Sequence, residues 1–481
     1  MMLSTIHNYI NGQLVPAKSG QYLDLIEPAT GAIYGRIARS EAEDIQAAVD
    51  AADRAAKHWR EIGVKKRAYY LRAVAEEIEQ NLEAFAEAES KDTGKPLSLT
   101  KSVDIPRSVE NLRFFADAVL QWESKAYSGQ AGINYVLNKP AGIAACISPW
   151  NLPLYLFTWK VAPALAAGCT VVAKPSELTP MTAYMLSEVC IKVGLPKGVF
   201  NITHGLGGEA GASLVAHPKI KRVSFTGGTA TGKIIAKTCS ERLIKYSLEL
   251  GGKNPVLIFD DVDLDKAVSL AVRAGFTNQG QICLCGSRLY VHDRIYESFR
   301  ERFVEAVGAL KIGDPSDQST QQGSLISYDH KVKVLGSIEQ ARSLGAKILC
   351  GGEELSPSGR CENGYFVAPT VVEGLSADAG PQRHEIFGPV VTLTPFTSES
   401  EVIDLANDSN YGLSSVVMTN DISRAHRVAE ALDVGIVWLN GWMVRDLRTP
   451  FGGFKNSGVG REGGFHALEF FADLTNVCIC I

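Results

Sequence analysis

The chain has 481 residues, 46% of them apolar and 21% charged, and a formal net charge of −5. That length supports two or three domains with large cores, and the composition is ordinary for a globular protein. The mild negative charge excludes a general attraction to nucleic acid or to an anionic membrane, so an anionic small molecule needs basic residues gathered locally.

Residues 1–16 lack the basic start and long apolar core of a signal peptide, and no run of 18 apolar residues occurs. A cytoplasmic, reduced protein without a membrane span is expected. Its ten cysteines are scattered, unlike a small disulfide framework. Two Cys-x-Cys pairs, Cys283/Cys285 and Cys478/Cys480, have no His or further Cys nearby at zinc-site spacing, so no metal is expected.

Residues 41–123 are helix-rich. From Gly142 onward, short apolar runs at 142–148, 170–173, 199–203 and 222–225 read as strands, with helical patterns at 182–193 and 208–216 between them. After Gly251-Gly252 a second unit begins, with helices at 267–276, 295–310, 399–407 and 423–432 and strands at 288–292, 390–396, 415–419 and 436–439. Strands alternating with helices at this spacing predict two mainly parallel, doubly wound α/β units. Residues 130–138 and 474–481 alternate like strands outside both units; an exposed apolar edge needs a partner, and another subunit would supply one.

Three segments carry chemistry. Cys283 follows a polar, glycine-containing loop and precedes a strand; an electropositive setting there would lower its thiol pKa from about 8.5 and suit a nucleophile. Read alone, it could equally be a buried loop cysteine. Glu249 ends an apolar run before Gly251-Gly252, where desolvation raises a carboxyl toward general-base use; the alternative is a pair with Lys253 or Lys245. The turn Thr226-Gly-Gly-Thr229 leads from a strand into a helix, which suits a phosphate, and Lys174-Pro-Ser-Glu177 follows a strand end, where Glu177 could hold ribose hydroxyls or simply cap a helix.

Eight motifs then occur in one order: Ser148-Pro-Trp150-Asn151-Leu-Pro153, Lys174-Pro-Ser176-Glu177, Phe225-Thr-Gly-Gly-Thr229, Leu248-Glu249-Leu-Gly-Gly-Lys253, Gln279-Gly-Gln-Ile-Cys283, Glu385-Ile-Phe387-Gly-Pro-Val390, Pro450-Phe-Gly-Gly-Phe-Lys455 and Ser457-Gly-Val-Gly-Arg-Glu462. Together they resemble the aldehyde dehydrogenase superfamily over nearly the whole chain. The resemblance implies that fold: an NAD-binding, Rossmann-like domain at 1–119 and 141–251, a catalytic domain at 252–450, and a β oligomerisation arm at 120–140 and 466–481 of a homodimer or homotetramer. It makes Cys283 the nucleophile, Glu249 the general base, and Asn151 with the Cys283 N–H the oxyanion hole. Lys174 and Glu177 would hold the adenosine ribose of NAD, and Glu385 and Phe387 the nicotinamide end. Trp150, Ser176, Gly227, Gly228, Thr229 and Leu250 fill further cofactor positions. Gly228 stands where the family often has Ser, and His384 where it often has Glu.

Segments outside the shared motifs resemble the muconic semialdehyde branch, whose members oxidise the 2-amino or the 2-hydroxy substrate. They are 89–95, 103–111, Trp150–Lys160 and 442–451. Ile282-Cys-Leu-Cys285 leans toward the amino members, those of tryptophan (kynurenine) and 2-aminophenol catabolism rather than catechol meta-cleavage. Such a substrate carries a carboxylate opposite its aldehyde, and guanidinium forks suit it. Arg107 and Arg445 are the candidates. Their alternatives are a helix-surface pair with Asp104 or Glu110, and a loop arginine beside Asp446. Three other functions stay open. A generalist for betaine, retinal or aliphatic aldehydes would not need both arginines. A Cys-dependent thioester hydrolase would leave the cofactor motifs unexplained, and a dead relative would not keep Cys283, Glu249 and Asn151.

Overall fold

In the strand Ile143–Ile147 all residues are buried, and they alternate between two cores. Ala144 and Cys146 pack with the helix Pro153–Ala167, whereas Ile143, Ala145 and Ile147 pack with the helix Ala42–Glu61. A strand covered on both sides has no polar face, which is why it reads as an unbroken apolar run. Thr170–Lys174 behaves alike, with Val171 and Ala173 on one side and Val172 on the other. These relationships come from a computed structural model that describes residues 4–480. Residues 1–3 and 481, the ends of the expected cofactor domain and arm, lie outside the described residues.

The first sheet has eight strands. Its parallel centre runs Lys245–Glu249, Ile220–Thr226, Ile143–Ile147, Thr170–Lys174, Phe200–Ile202. Its edges were not foreseen from sequence. Asn8–Ile10 and Gln13–Val15 close one side antiparallel, and Gly458–Val459 returns late in the chain to place Gly458 opposite Glu249. The second sheet has seven strands, parallel from Thr370–Glu373 through Val390–Phe396, Gly286–His292, Asn254–Ile258 and Ser414–Met418 to Ile436–Leu439, with Lys347–Cys350 antiparallel at one edge. It too is covered on both faces: Val256 and Ile258 enter one core, Leu257 and Phe259 another. This is the doubly wound α/β arrangement, and its strand ends at Lys174, Thr226 and Glu249 are where such sheets bind ligands.

The β arm is a three-stranded sheet. Gly132–Pro140 and Ala472–Cys480 pair with each other within the chain, from Ala472 opposite Pro140 to Cys480 opposite Gly132, and Ala126–Gly129 flanks them. Its open edges among the described residues are Ala472–Cys480 and Ala126–Gly129. The Arg222 guanidinium brings the C-terminal strand back to the body by donating to the Phe470 carbonyl at 2.8 Å and to Asp473.

Candidate active site

The helix Leu264–Phe276 stops at Thr277, and Asn278, Gln279 and Gly280 follow with φ of 53°, 55° and 68°. Gly280 has no room for a side chain, since a Cβ would stand 2.1 Å from the Gly388 carbonyl oxygen. This left-handed run turns the chain back toward the strand Gly286–His292 and leaves Cys283 in the bend. The carbonyls of the bend are held by side-chain donors: Asn254 to Cys283 at 2.7 Å and to Cys285 at 2.9 Å, Trp442 to Leu284 at 2.9 Å, and Asn151 to Gln281 at 2.9 Å. Among the described residues the Cys283 N–H has no acceptor within the chain, so it is free to act as a donor beside the sulfur.

Cys283 lines a cavity of about 250 Å³, whereas Cys285 is buried with its Sγ 3.8 Å from the Thr277 carbonyl. The expected electropositive setting for Cys283 is not found. Burial pushes its thiol well up, and the nearby Glu385 and Glu249 add to this, opposed only by Arg445. The sulfur therefore rests as a thiol, and a base must take its proton.

Glu249 is buried, and neither carboxylate oxygen has a hydrogen-bond partner among the described residues. Its alternative partners are elsewhere: Lys245 lies 3.3 Å from Asp473, and the buried Lys253 ammonium has no acceptor. Burial holds the Glu249 carboxyl well above the carboxylate range, and Glu462 raises it further. Glu462 is itself paired with the buried Lys160 at 2.7 Å. Asn151, also buried, is anchored through its backbone carbonyl, which accepts from Lys95 Nζ at 2.8 Å and from Asn278 at 3.1 Å.

The same cavity gathers Trp150, Asn151, Gly227, Gly228, Leu250, Glu385 and Phe387, drawn from both sheets. Phe387, at φ 61°, sets its ring edge-on to Trp150, with centroids 5.2 Å apart. Glu385 accepts from the Gly252 N–H at 2.9 Å and packs so closely on Gly251 that a Cβ there would stand 2.1 Å from its oxygen; burial pushes its carboxyl up to about 7. Gly228 caps the helix Thr229–Glu241 and has open space where a Cβ would be. The hydroxyls of Thr226, Thr229 and Ser148 are buried without partners. Free helix N–H groups, an open glycine and orphaned hydroxyls together fit a dinucleotide pyrophosphate. Lys174, Ser176, Glu177 and Thr229 do not line this cavity. Lys174 donates to Glu177 at 3.1 Å at the neighbouring strand end. His384 is exposed and also lies off the cavity.

On the other side of the bend lies a second cavity of about 430 Å³, lined by Leu152, Tyr155, Ile282 and Trp442 and by both candidate arginines. Arg107 makes the expected helix pair, 3.0 Å from Glu110, while facing this cavity. Among the described residues Arg445 has no carboxylate partner: Asp446 pairs with Arg448 instead. Its guanidinium donates to the Tyr155 hydroxyl at 3.0 Å and lies 4.1 Å over the Phe451 ring and 5.1 Å from that of Trp159. Sequence reasoning missed the roles of Lys95, Asp104, Asn254, the Lys160–Glu462 pair and His330, which lines the Cys283 cavity with its ring 5.4 Å from that of Trp150. Lys160 carried a signal, being a charge inside the apolar run Trp159-Lys-Val161. Among the described residues no His, Cys, Asp or Glu cluster could hold a metal ion, and no helix is long and apolar enough to cross a membrane.

Comparison with known proteins bears on the same segments. A profile of the aldehyde dehydrogenase family matches residues 14–477. The chain is 46% identical to a 2-aminomuconic semialdehyde dehydrogenase of Danio rerio, over 100% of this chain and 99% of that one. It is 43% identical to a 2-hydroxymuconic semialdehyde dehydrogenase of Pseudomonas sp. strain CF600, over 99% of this chain and 100% of that one. Among solved structures, it resembles the NAD+ complex of an aldehyde dehydrogenase from Bacillus cereus, with a TM-score of 0.97 at 38% identity, covering 99% of this chain and 97% of that one.

Proposed function

We propose, starting from the fact that this chain belongs to the aldehyde dehydrogenase family, that it oxidises 2-aminomuconic semialdehyde to 2-aminomuconate with NAD. One observation carries the substrate: the cavity beyond Cys283 holds two arginines from distant segments, and one of them, Arg445, has no carboxylate of its own. An aldehyde with a carboxylate at its far end satisfies both. The relatives named for the 2-amino and 2-hydroxy substrates are nearly as similar to this chain as each other, so the hydroxy analogue is the second reading.

Cys283 is the nucleophile and loses its proton to Glu249, whose raised carboxyl suits it as a base near neutrality. The thiolate adds to the aldehyde carbon, and the Asn151 amide and Cys283 N–H receive the developing oxyanion. NAD, when bound, accepts the hydride. Trp150, Gly227, Gly228, Leu250, Glu385 and Phe387 would hold its nicotinamide and phosphate portion, and Lys174, Ser176 and Glu177 its adenosine portion, with Thr229 at the pyrophosphate. The acyl group left on Cys283 is a thioester. Glu249 releases the proton taken from Cys283 to solvent and then takes one from water as the water oxygen attacks the thioester carbon. The C–S bond breaks, the proton held by Glu249 passes to the Cys283 sulfur, and the acid leaves as carboxylate with its own proton lost to solvent. Aldehyde, water and NAD thus give carboxylate, NADH and two protons.

The arm is the proposed assembly surface. Its outer edges have no strand partner among the described residues, and Tyr127, Leu474 and Ile479 are exposed on it, so a second copy would cover apolar surface. The substrate reading is tested by NADH formation from 2-aminomuconic semialdehyde, its 2-hydroxy analogue and hexanal. A higher kcat/KM for hexanal than for both charged aldehydes rejects it.

A further inference from the structure

We infer that Arg273 is a third substrate-selecting cation, standing at the mouth of the cavity that holds Arg107 and Arg445; this rests on the carboxylated-aldehyde reading above. Arg273 lies one turn before the end of the helix Leu264–Phe276 and lines that cavity. It also lines the two surface depressions on either side, so it stands on the ridge where three concave regions meet. Its exposed side chain thus shares one cavity lining with Arg107 and Arg445.

Its chemistry differs from that of the two arginines inside. Arg107 is engaged by Glu110, and Arg445 is stacked on aromatic rings. Arg273 is exposed, and among the described residues its guanidinium has no hydrogen-bond or ion-pair partner, while its backbone carbonyl accepts from the Thr277 hydroxyl at 2.7 Å. The acids around it are already matched: Asp104 with Lys95 at 2.6 Å, Asp265 with Arg302 at 2.5 Å, and Asp263 with Lys266 at 3.7 Å. The rim therefore carries an uncompensated positive charge on a protein whose net charge is −5. Local charge of one sign beside a cleft concentrates the opposite ion there. An anionic aldehyde gains from Arg273 during capture, and an uncharged one does not. Because Arg273 is solvated, its effect belongs to association and is screened by salt.

The test uses the intact enzyme with NAD, with 2-hydroxymuconic semialdehyde as the charged probe and hexanal as the uncharged one. Arg273→Gln is expected to lower kcat/KM for the charged probe about two- to fivefold, mainly through KM, and to flatten its fall with added salt. Hexanal kinetics should not change. Arg273→Lys should restore most of the loss, because an open rim needs a charge rather than a fork. An unchanged kcat/KM for the charged probe, or equal losses on both aldehydes, overturns the inference. Arg445→Met separates the two readings. Selectivity that fails only in Arg445→Met removes Arg273 alone, whereas selectivity unmoved in either variant removes the carboxylated substrate as well.

Discussion

The Lys95 ammonium donates to the Asn151 carbonyl at 2.8 Å while holding Asp104 at 2.6 Å, and both charged side chains are fully buried. The proposed oxyanion donor is thus held from behind by a charge that also neutralises the buried Asp104. Lys95→Met leaves Asp104 buried and unpaired, so we expect a loss of about 3–5 kcal/mol in stability by denaturant melts. The double variant Lys95→Met, Asp104→Leu should regain much of that stability but not full kcat, because the Asn151 carbonyl then keeps only the Asn278 donor. Asn151→Ala should cost about 2.7–4 kcal/mol in kcat with little change in stability. Full kcat in the double variant would show that Lys95 supports the fold alone.

Glu249 fixes the pH dependence. Its carboxyl is held above the carboxylate range by burial, so the base form appears only as pH rises through that raised value. Thioester hydrolysis should therefore increase with pH well above the range of an ordinary carboxylate. The stability effect has the opposite sign. The folded state binds this proton more tightly than the unfolded chain, so the contribution is complete at low pH and is lost as pH rises through the folded value. Glu249→Gln should melt higher than the parent at neutral pH yet turn over far more slowly. Parent-like turnover in this variant would remove Glu249 from the mechanism.

Glu177 sits at the strand end with Lys174, which donates to it at 3.1 Å. A carboxylate at the adenosine ribose repels a 2′-phosphate, so NAD should give the higher kcat/KM, and Glu177→Gln should narrow the gap about tenfold through the NADP constant. A parent enzyme that prefers NADP contradicts this placement.

The two inner arginines differ in what they stand to lose. A charge-assisted hydrogen bond contributes roughly 1.5–3 kcal/mol net. Arg445→Met should lower kcat/KM for the muconic aldehyde about 10- to 100-fold, at about 1.4 kcal/mol per decade. Arg107→Met should lose less, because Glu110 already occupies that guanidinium at 3.0 Å and must be displaced. Hexanal should be affected little by either. Equal losses on charged and uncharged aldehydes would mean that the arginines hold the fold.

The sequence made the parallel strands and the order of the motifs readable, because a strand buried on both faces is a continuous apolar run and the glycine turns follow it. The helix Pro153–Ala167 was not readable. It is buried along its whole length, so it shows no 3.6-residue period. Nor was the Lys160–Glu462 pair, whose partners are brought together only when Gly458–Val459 returns to the edge beside Glu249. The setting of Cys283 was misjudged for a related reason. Glu249 reaches it from the end of a strand of the first sheet and Glu385 from the loop before Val390–Phe396 of the second, and local sequence around the cysteine shows neither. The arm segments were legible as strands, but their pairing joins residues more than 330 positions apart in sequence, which no local pattern shows.

Cys283 as the carrier of the acyl group is tested most directly by intact-mass measurement of the parent enzyme, acid-quenched during its first turnover with NAD and aldehyde, alongside NADH formed. The expected result is up to about one equivalent of NADH per site and a mass increase equal to the acyl group, mapped by peptide analysis to Cys283, with both absent in the Cys283→Ala enzyme. A mass increase on Cys285, or NADH formed by the Cys283→Ala enzyme, would contradict it.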